Sequence, residues 1–164
     1  MDFARTIRVV RYYAEKEGWG GQDMIAGMGW SGGGATLMGA VNYFYGDVQF
    51  SEYDSDYVPD EIDEVSADLD VALPVYGGVL DENSGNENLP AFYIVHGLAD
   101  DQVDPQVSVD LYEMVKSLVS AELLMIEGAP HGFGVGTTND EFPEGCRTWV
   151  NSADAFMQAV RGKQ

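Results

Sequence analysis

The sequence predicts an α/β protein built on a parallel sheet, and three observations predict it. Four short apolar runs are mostly separated by helical patterns, the alternation that goes with right-handed crossovers. A glycine-crowded turn, Gly29-Trp30-Ser31-Gly32-Gly33, joins the first run to a helix. Residues with catalytic chemistry follow three of the four runs, where parallel sheets of this kind place their sites.

The elements follow in chain order. Residues 2–17 form a helix: Phe3, Ile7, Val10 and Ala14 share a face, and Gly18 ends it. Gly18 to Gln22 is a turn. Met24 to Met28 is a buried strand, and the stripe Leu37, Met38, Val41, Phe44 and Tyr45 marks the helix after Ser31. Residues 47–70 are an acidic insertion, expected as a solvated excursion with one short helical turn. Asp54, Asp56 and Asp60 are spaced like Ca²⁺ ligands there, but the glycine and terminal Glu of an EF-hand are missing. Val71 to Tyr76 is the second strand, and Gly77 to Pro90 a loop. Ala91 to His96 is the third strand, with β-branched and aromatic content. Asp104-Pro105 opens the next helix, an N-cap followed by Pro at the first helical position. Its stripe is Val107, Leu111, Met114, Val115 and Leu118. Glu122 to Ile126 is the fourth strand. A loop over 128–147 leads to a last helix, capped by Asn151 or Ser152, with Phe156, Met157 and Val160 on one face. No repeat or low-complexity segment interrupts a single domain over 1–164.

Composition bounds the function. The chain has 164 residues, 45% of them hydrophobic, enough for a real core despite the charge. The formal charge is −20, and no Lys or Arg occurs between Lys16 and Lys116. Such a surface releases no counterions from nucleic acid and does not attach to anionic membranes. The acidity fits cation binding or a halophilic, strongly solvated surface, and more simply a soluble acidic protein. The lone Cys146 allows no internal disulfide, and two histidines with one cysteine do not make a structural zinc site. No metal or cofactor is expected. Met1 to Arg11 lacks the apolar core of a signal peptide, and no later run is long enough to span a bilayer. The expectation is a soluble chain, cytoplasmic rather than secreted.

The chemistry concentrates at the strand ends. Strand, glycine turn and helix around Ser31 form the setting of a nucleophile elbow, Gly-x-Ser-x-Gly. Asp100 and Asp101 follow the third strand in His96-Gly-Leu-Ala-Asp-Asp, and His131 follows the fourth in Gly128-Ala-Pro-His-Gly-Phe133. A Ser hydroxyl is a poor nucleophile until a base accepts its proton. Imidazole suits that task near neutral pH, and a carboxylate fixes its tautomer. Ser31, His131 and an Asp after the third strand are therefore the catalytic candidates. The Gly32 N–H, at the start of the helix, is a natural oxyanion donor. His96 ends a buried strand and is expected to hold the acid loop by hydrogen bonds, and Asp104 is a helix cap. Trp30 and Phe133 are candidates for lining the substrate.

These residues resemble the α/β-hydrolase superfamily, in its small carboxylesterase branch of acetyl esterase/lipase and acetylxylan- or feruloyl-esterase-like proteins. Gly29-Trp-Ser-Gly-Gly matches the elbow, His96-Gly-x-x-Asp100 with Val103 the acid loop, and His131-Gly-Phe133 the base loop. Tyr57 to Ser66 looks like the run that precedes the corresponding second strand. The resemblance selects Asp100 over Asp101. It implies the C-terminal portion of a parallel-sheet α/β-hydrolase fold, about four strands with flanking helices. It also implies a serine esterase acting on short acyl esters, including acetyl esters of carbohydrate, through an acyl-Ser31 intermediate. Asp104-Pro105 departs from the Val-Pro usual there.

The larger departure is at the start. Members of the superfamily carry strands before the helix at 2–17, and one ends in a loop that supplies the second oxyanion donor. Nothing in this chain does so. The first strand is then an apolar sheet edge, expected to pair with another chain or a second copy. Two other readings stand beside the esterase. One is a weakly active or inactive hydrolase remnant serving as an interaction module. The other is a dinucleotide-binding domain, from Gly27-x-Gly29-x-x-Gly32 with Glu52 about twenty residues on.

Overall fold

A computed structural model describes residues 1–19, 24–136 and 141–163. The expected turn at Gly18–Gln22 lies partly outside the described residues. Four strands, β1 Ala26–Trp30, β2 Val71–Val75, β3 Ala91–Gly97 and β4 Ala121–Ile126, pair in parallel in chain order. Four helices flank them: α1 Asp2–Glu17, α2 Gly32–Tyr43, α3 Gln106–Val115 and α4 Gly145–Arg161.

Side chains alternate across the sheet and feed two cores. Phe92 and Ile94 of β3 point to the side of α1, α2 and α3, where Ile7, Leu37, Val41, Leu111 and Val115 meet them. Tyr93 and Val95 point the other way, with Val71, Leu73 and Val75 of β2, onto Trp149, Ala153 and Phe156 of α4. Both faces of β2 and β3 are covered, which is why these strands read as unbroken apolar runs.

β1 differs. It begins two residues later than the sequence suggests and runs to Trp30. Gly27 and Gly29 are buried under α2, while Ala26 and Trp30 on the other face are exposed. Among the described residues β1 pairs with β2 alone, so it is a sheet edge with one open face rather than a buried strand.

Other differences have simple causes. On α1, Val10 is exposed and Arg8 is fully buried. Leu118 lies past the end of α3 and is exposed. α4 starts at Gly145, with Asn151 and Ser152 inside it rather than capping it. Cys146, Trp149, Ala153 and Phe156 carry its buried stripe, and the stripe fixes where the helix begins.

The acidic segment 47–70 holds two 3₁₀ turns, Phe50–Glu52 and Glu61–Glu64, and is docked rather than loosely solvated. Three arginines on α1 hold it. Arg5 meets Asp60 at 2.6 Å and Asp63 at 2.8 Å. Arg8 meets Asp63 at 3.2 Å, donates to the Val48 carbonyl at 2.7 Å and lies 4.6 Å over the Phe50 ring. Arg11 donates to the carbonyls of Ser66 and Asp68. Burial favours the neutral Asp63 carboxyl, but the Asp60 N–H, the Tyr57 hydroxyl and Arg5 outweigh it and hold the group below the usual carboxylate range. Asp60 is committed to Arg5 and to the Ile62 N–H.

Candidate active site

The site is built where β1, β2, β3 and β4 end. β1 hands over to α2 through Ser31 alone, at φ 51° and ψ −120°. That left-handed backbone costs a non-glycine residue about 1–3 kcal/mol. Its surroundings enforce it. The Ser31 N–H donates to the Val75 carbonyl at 3.0 Å, extending the ladder to β2. The Ser31 carbonyl accepts from Gly34 and Ala35 at 2.9 and 3.2 Å, starting α2. A Cβ on Gly29 would sit 2.2 Å from the Gly33 carbonyl oxygen, so strand and helix approach this closely only with glycine there. Gly32 and Gly33 open α2, where first-turn N–H groups lack an acceptor within the helix.

The acid and base loops are fastened to each other. A Cβ on Gly97 would sit 2.2 Å from the Ala129 carbonyl oxygen. The same oxygen accepts from the Ala99 N–H at 3.0 Å, and the Ile126 carbonyl accepts from Leu98 at 2.9 Å. Asp100 is thereby turned inward while Asp101 is exposed. Asp100 Oδ1 accepts from the N–H groups of Gln102 and Val103, both at 2.9 Å. Its Oδ2 lies 2.7 Å from His131 Nδ1. Burial alone would raise this carboxyl, but the Val103 N–H, His131 and the Gln102 N–H together hold it below the usual range.

His131 Nε2 lies 2.9 Å from Ser31 Oγ. The carboxylate on Nδ1 only accepts, so Nδ1 carries the proton and Nε2 is bare toward the hydroxyl. Ser31, His131 and Asp100 thus form one continuous chain of hydrogen bonds, with the serine end partly open to solvent. His96 holds the acid loop, bonding Asp100, the Val103 carbonyl and Ser108. Asp104 accepts from the Gln106 N–H, as a cap does.

Two substrate-lining candidates part company. Trp30 is 40% exposed beside Ser31. Phe133 is 1% exposed and packs on Tyr76 at 4.9 Å between centroids, so it is a core residue. The loop turns its histidine outward and its phenylalanine inward. Tyr76 is a neighbour that sequence reasoning missed. It directly follows β2 at φ 40°, and its ring packs edge-to-face with His131 at 4.8 Å between centroids. No residue-type signal marks a tyrosine in a left-handed conformation.

Two of the three glycines of the dinucleotide pattern, Gly27 and Gly29, are closed in by packing, and only Gly32 is open. A Cβ on Gly27 would meet Leu69 at 2.7 Å and Leu37 at 2.9 Å, so this glycine faces the core and not an open phosphate cradle.

No protein-family model matches the sequence, and no curated protein does. Solved structures do match. An acetyl ester-xyloside bifunctional hydrolase from Caldicellulosiruptor lactoaceticus superposes with a TM-score of 0.71 at 20% identity, over 97% of this chain and 64% of its own. A thermophilic esterase from the Planctomycetes species Thermogutta terrifontis, bound to propionate, gives 0.69 at 22% identity, over 96% of this chain and 63% of its own. A truncated carbohydrate esterase from gut microbiota gives 0.69 at 19% identity, over 98% and 67%. The chain has part of the α/β-hydrolase fold, four parallel strands with flanking helices. It spans less than two thirds of the length of the first two of these proteins. Ser31, Asp100 and His131 follow β1, β3 and β4, in the chain order serine, acid, histidine of an α/β-hydrolase. Among the described residues, no strand lies beyond β1.

Proposed function

We propose that this chain carries the nucleophilic half of a serine carboxylic-ester hydrolase acting on short acyl esters. The observation that carries the reading is the hydrogen-bonded series Ser31 Oγ, His131, Asp100, at 2.9 and 2.7 Å. Ser31 Oγ attacks the ester carbonyl carbon while its proton passes to His131 Nε2. The imidazolium is held by Asp100, which stays ionised because its folded-state pKa is depressed. The oxyanion formed by attack accepts from the Gly32 N–H. The C–O bond to the alcohol then breaks, and His131 returns the proton to the departing oxygen. Water repeats the sequence on the acyl-Ser31 ester and frees the acid.

Short acyl groups, with acetyl esters of carbohydrate as the preferred class, are supported by the neighbours. One is an acetyl ester hydrolase, one a carbohydrate esterase, and the Thermogutta esterase was captured with propionate and with butyrate. The open position of Ser31 beside exposed Trp30 suits such small acyl groups. The test is hydrolysis of p-nitrophenyl acetate, butyrate and octanoate by wild type and Ser31→Ala. Activity falling with acyl length, and at least ~10³-fold lower in Ser31→Ala, is expected. Equal rates for the two proteins refute the reading.

A second reading is a hydrolase remnant with little turnover. The one-sided β1 favours it, because a second oxyanion donor would come from beyond that edge, and losing one donor costs roughly 10²–10³ in rate. Paraoxon, which phosphorylates the Thermogutta esterase, separates the two. Covalent phosphorylation of Ser31 without ester turnover identifies a working nucleophile in an incomplete site.

A further inference from the structure

The proposed reaction leaves one of the two histidines without a part. His96 ends β3 with no exposed surface. Its Nε2 lies 3.2 Å from Asp100 Oδ2 and 3.2 Å from the Val103 carbonyl oxygen. Its Nδ1 lies 2.7 Å from Ser108 Oγ on α3. Both partners of Nε2 only accept, so Nε2 carries the proton. In the neutral ring Nδ1 is then bare, and the Ser108 hydroxyl donates to it. Burial pushes the His96 imidazole below its ordinary value, against the pull of Asp100 and the Val103 carbonyl. Asp100 Oδ2 therefore serves two imidazoles at once, His131 at 2.7 Å and His96 at 3.2 Å.

We propose that His96 is a positioning residue for the base: its Nε2–H pins the Asp100 oxygen that orients His131 and draws part of that oxygen's charge away from His131. The catalytic meaning rests on the esterase reading; the hydrogen-bond arrangement does not. With Oδ1 fixed by two backbone N–H groups and Oδ2 by two imidazoles, the carboxylate has no freedom to rotate. Without His96, Oδ2 has His131 as its remaining imidazole partner and presents it with more charge. A hydrogen bond to a more fully charged oxygen is shorter and stronger, so the Nδ1–H···Oδ2 bond of His131 tightens. The groups that face His96 are Asp100 from the acid loop, Ser108 from α3 and His131 from the base loop. Those that face His131 are Asp100, Ser31 from the elbow and Tyr76 from β2.

Two histidines make the test direct, because ¹H–¹⁵N spectra of the intact chain contain two imidazole signatures. Spectra of wild type from about pH 4.5 to 9 are expected to show His96 as the Nε2–H tautomer, neutral well below the pH where an ordinary imidazole titrates. His96→Leu removes the donor, and His96→Gln puts an amide N–H near the place of Nε2. The His131 Nδ1–H proton signal is expected to shift downfield in His96→Leu, as Oδ2 concentrates its charge on that bond, and to return most of the way in His96→Gln. An Nδ1–H tautomer or ordinary titration of His96 in wild type overturns the proposal, and that reading stands even if the leucine variant fails to fold. So does a His131 Nδ1–H signal unchanged in His96→Leu. Ester hydrolysis on the same samples separates the two ideas. No turnover by wild type sinks the esterase reading and leaves the spectra to decide; turnover with an unmoved His131 sinks the positioning role alone.

Discussion

Gly29→Ala tests whether the elbow is what holds β1 to α2. The added methyl carbon would stand 2.2 Å from the Gly33 carbonyl oxygen, 2.5 Å from its carbon and 2.8 Å from the Gly34 nitrogen. All three are backbone atoms of the first turn of α2, so no side chain can swing away. Strand and helix must separate, an overpacking cost near the upper end of about 1–3 kcal/mol. Replacing glycine in a strand returns about 0.5–1 kcal/mol. The net loss is then about 2 kcal/mol, or a Tm lower by about 4–8 °C for a chain of this size. Gly33 belongs to the same motif, yet a Cβ there meets nothing within 4 Å. Gly33→Ala is expected to stay within about 0.5 kcal/mol of wild type. Gly39, inside α2 with equally open surroundings, should gain up to about 1 kcal/mol as alanine. Urea unfolding by circular dichroism on the four proteins gives the comparison. A Gly29→Ala protein as stable as wild type, or a Gly33→Ala protein as damaged as Gly29→Ala, refutes the steric account.

Three further outcomes follow from the packing and charges. Asp63→Ala leaves the fully buried Arg8 without its carboxylate and should cost about 3–5 kcal/mol in urea unfolding, and a loss under 1 kcal/mol would mean that Arg8 has another route to compensation. His96 is depressed in the folded state, so below about pH 6.5 the unfolded chain takes up a proton that the folded one refuses. Stability is therefore full above that pH and declines as pH falls toward the folded-state value. A second loss begins below about pH 3.9 as Asp63 and Asp100, both depressed on folding, are forced to protonate; a urea midpoint flat from pH 8 to 5 contradicts the His96 part. The β1 edge carries no charge and no proline, so we expect association above the 17.9 kDa monomer in concentration-dependent scattering, stronger in salt because the −20 charge is then screened. A monomer at every concentration and ionic strength refutes it.

What could be read from the sequence was what sits close to a strand end. Ser31, Asp100 and His131 each follow an apolar run by a handful of residues, and parallel pairing brings such ends together. The strands themselves were legible because a sheet covered on both faces needs no alternation. Phe133 was misplaced because a short loop can turn adjacent side chains to opposite sides, and composition does not say which. The start of α4 was hidden because Glu144 offers no side-chain cap, although Cys146, Trp149, Ala153 and Phe156 already spelled a helical stripe. The docking of 47–70 was masked by its acidity. The signal lay elsewhere, in Arg5, Arg8 and Arg11 spaced at three residues along α1. A basic stripe on a helix beside an acidic segment is a prediction of contact, and the buried pair Arg8 and Asp63 realises it.

The architecture also divides the chemistry in two. The proposed nucleophile, base and acid come from the ends of β1, β4 and β3, with Tyr76 just after β2 packed on the imidazole. Each of these strands is paired in the sheet, so the proposed proton transfer from Ser31 to His131 uses groups already joined by hydrogen bonds at their ends. Stabilising the oxyanion is different. The proposed donor, the Gly32 N–H, opens a helix that leans on β1, and a second donor would have to approach from the side of β1 that is unpaired among the described residues. The two functions therefore fail separately. An organophosphate, whose leaving group departs readily, depends mostly on the activated serine; an alkyl acetate depends on both halves. A chain that is phosphorylated at Ser31 far faster than it turns over esters, and that gains ester turnover when a partner covers β1, is what this division predicts.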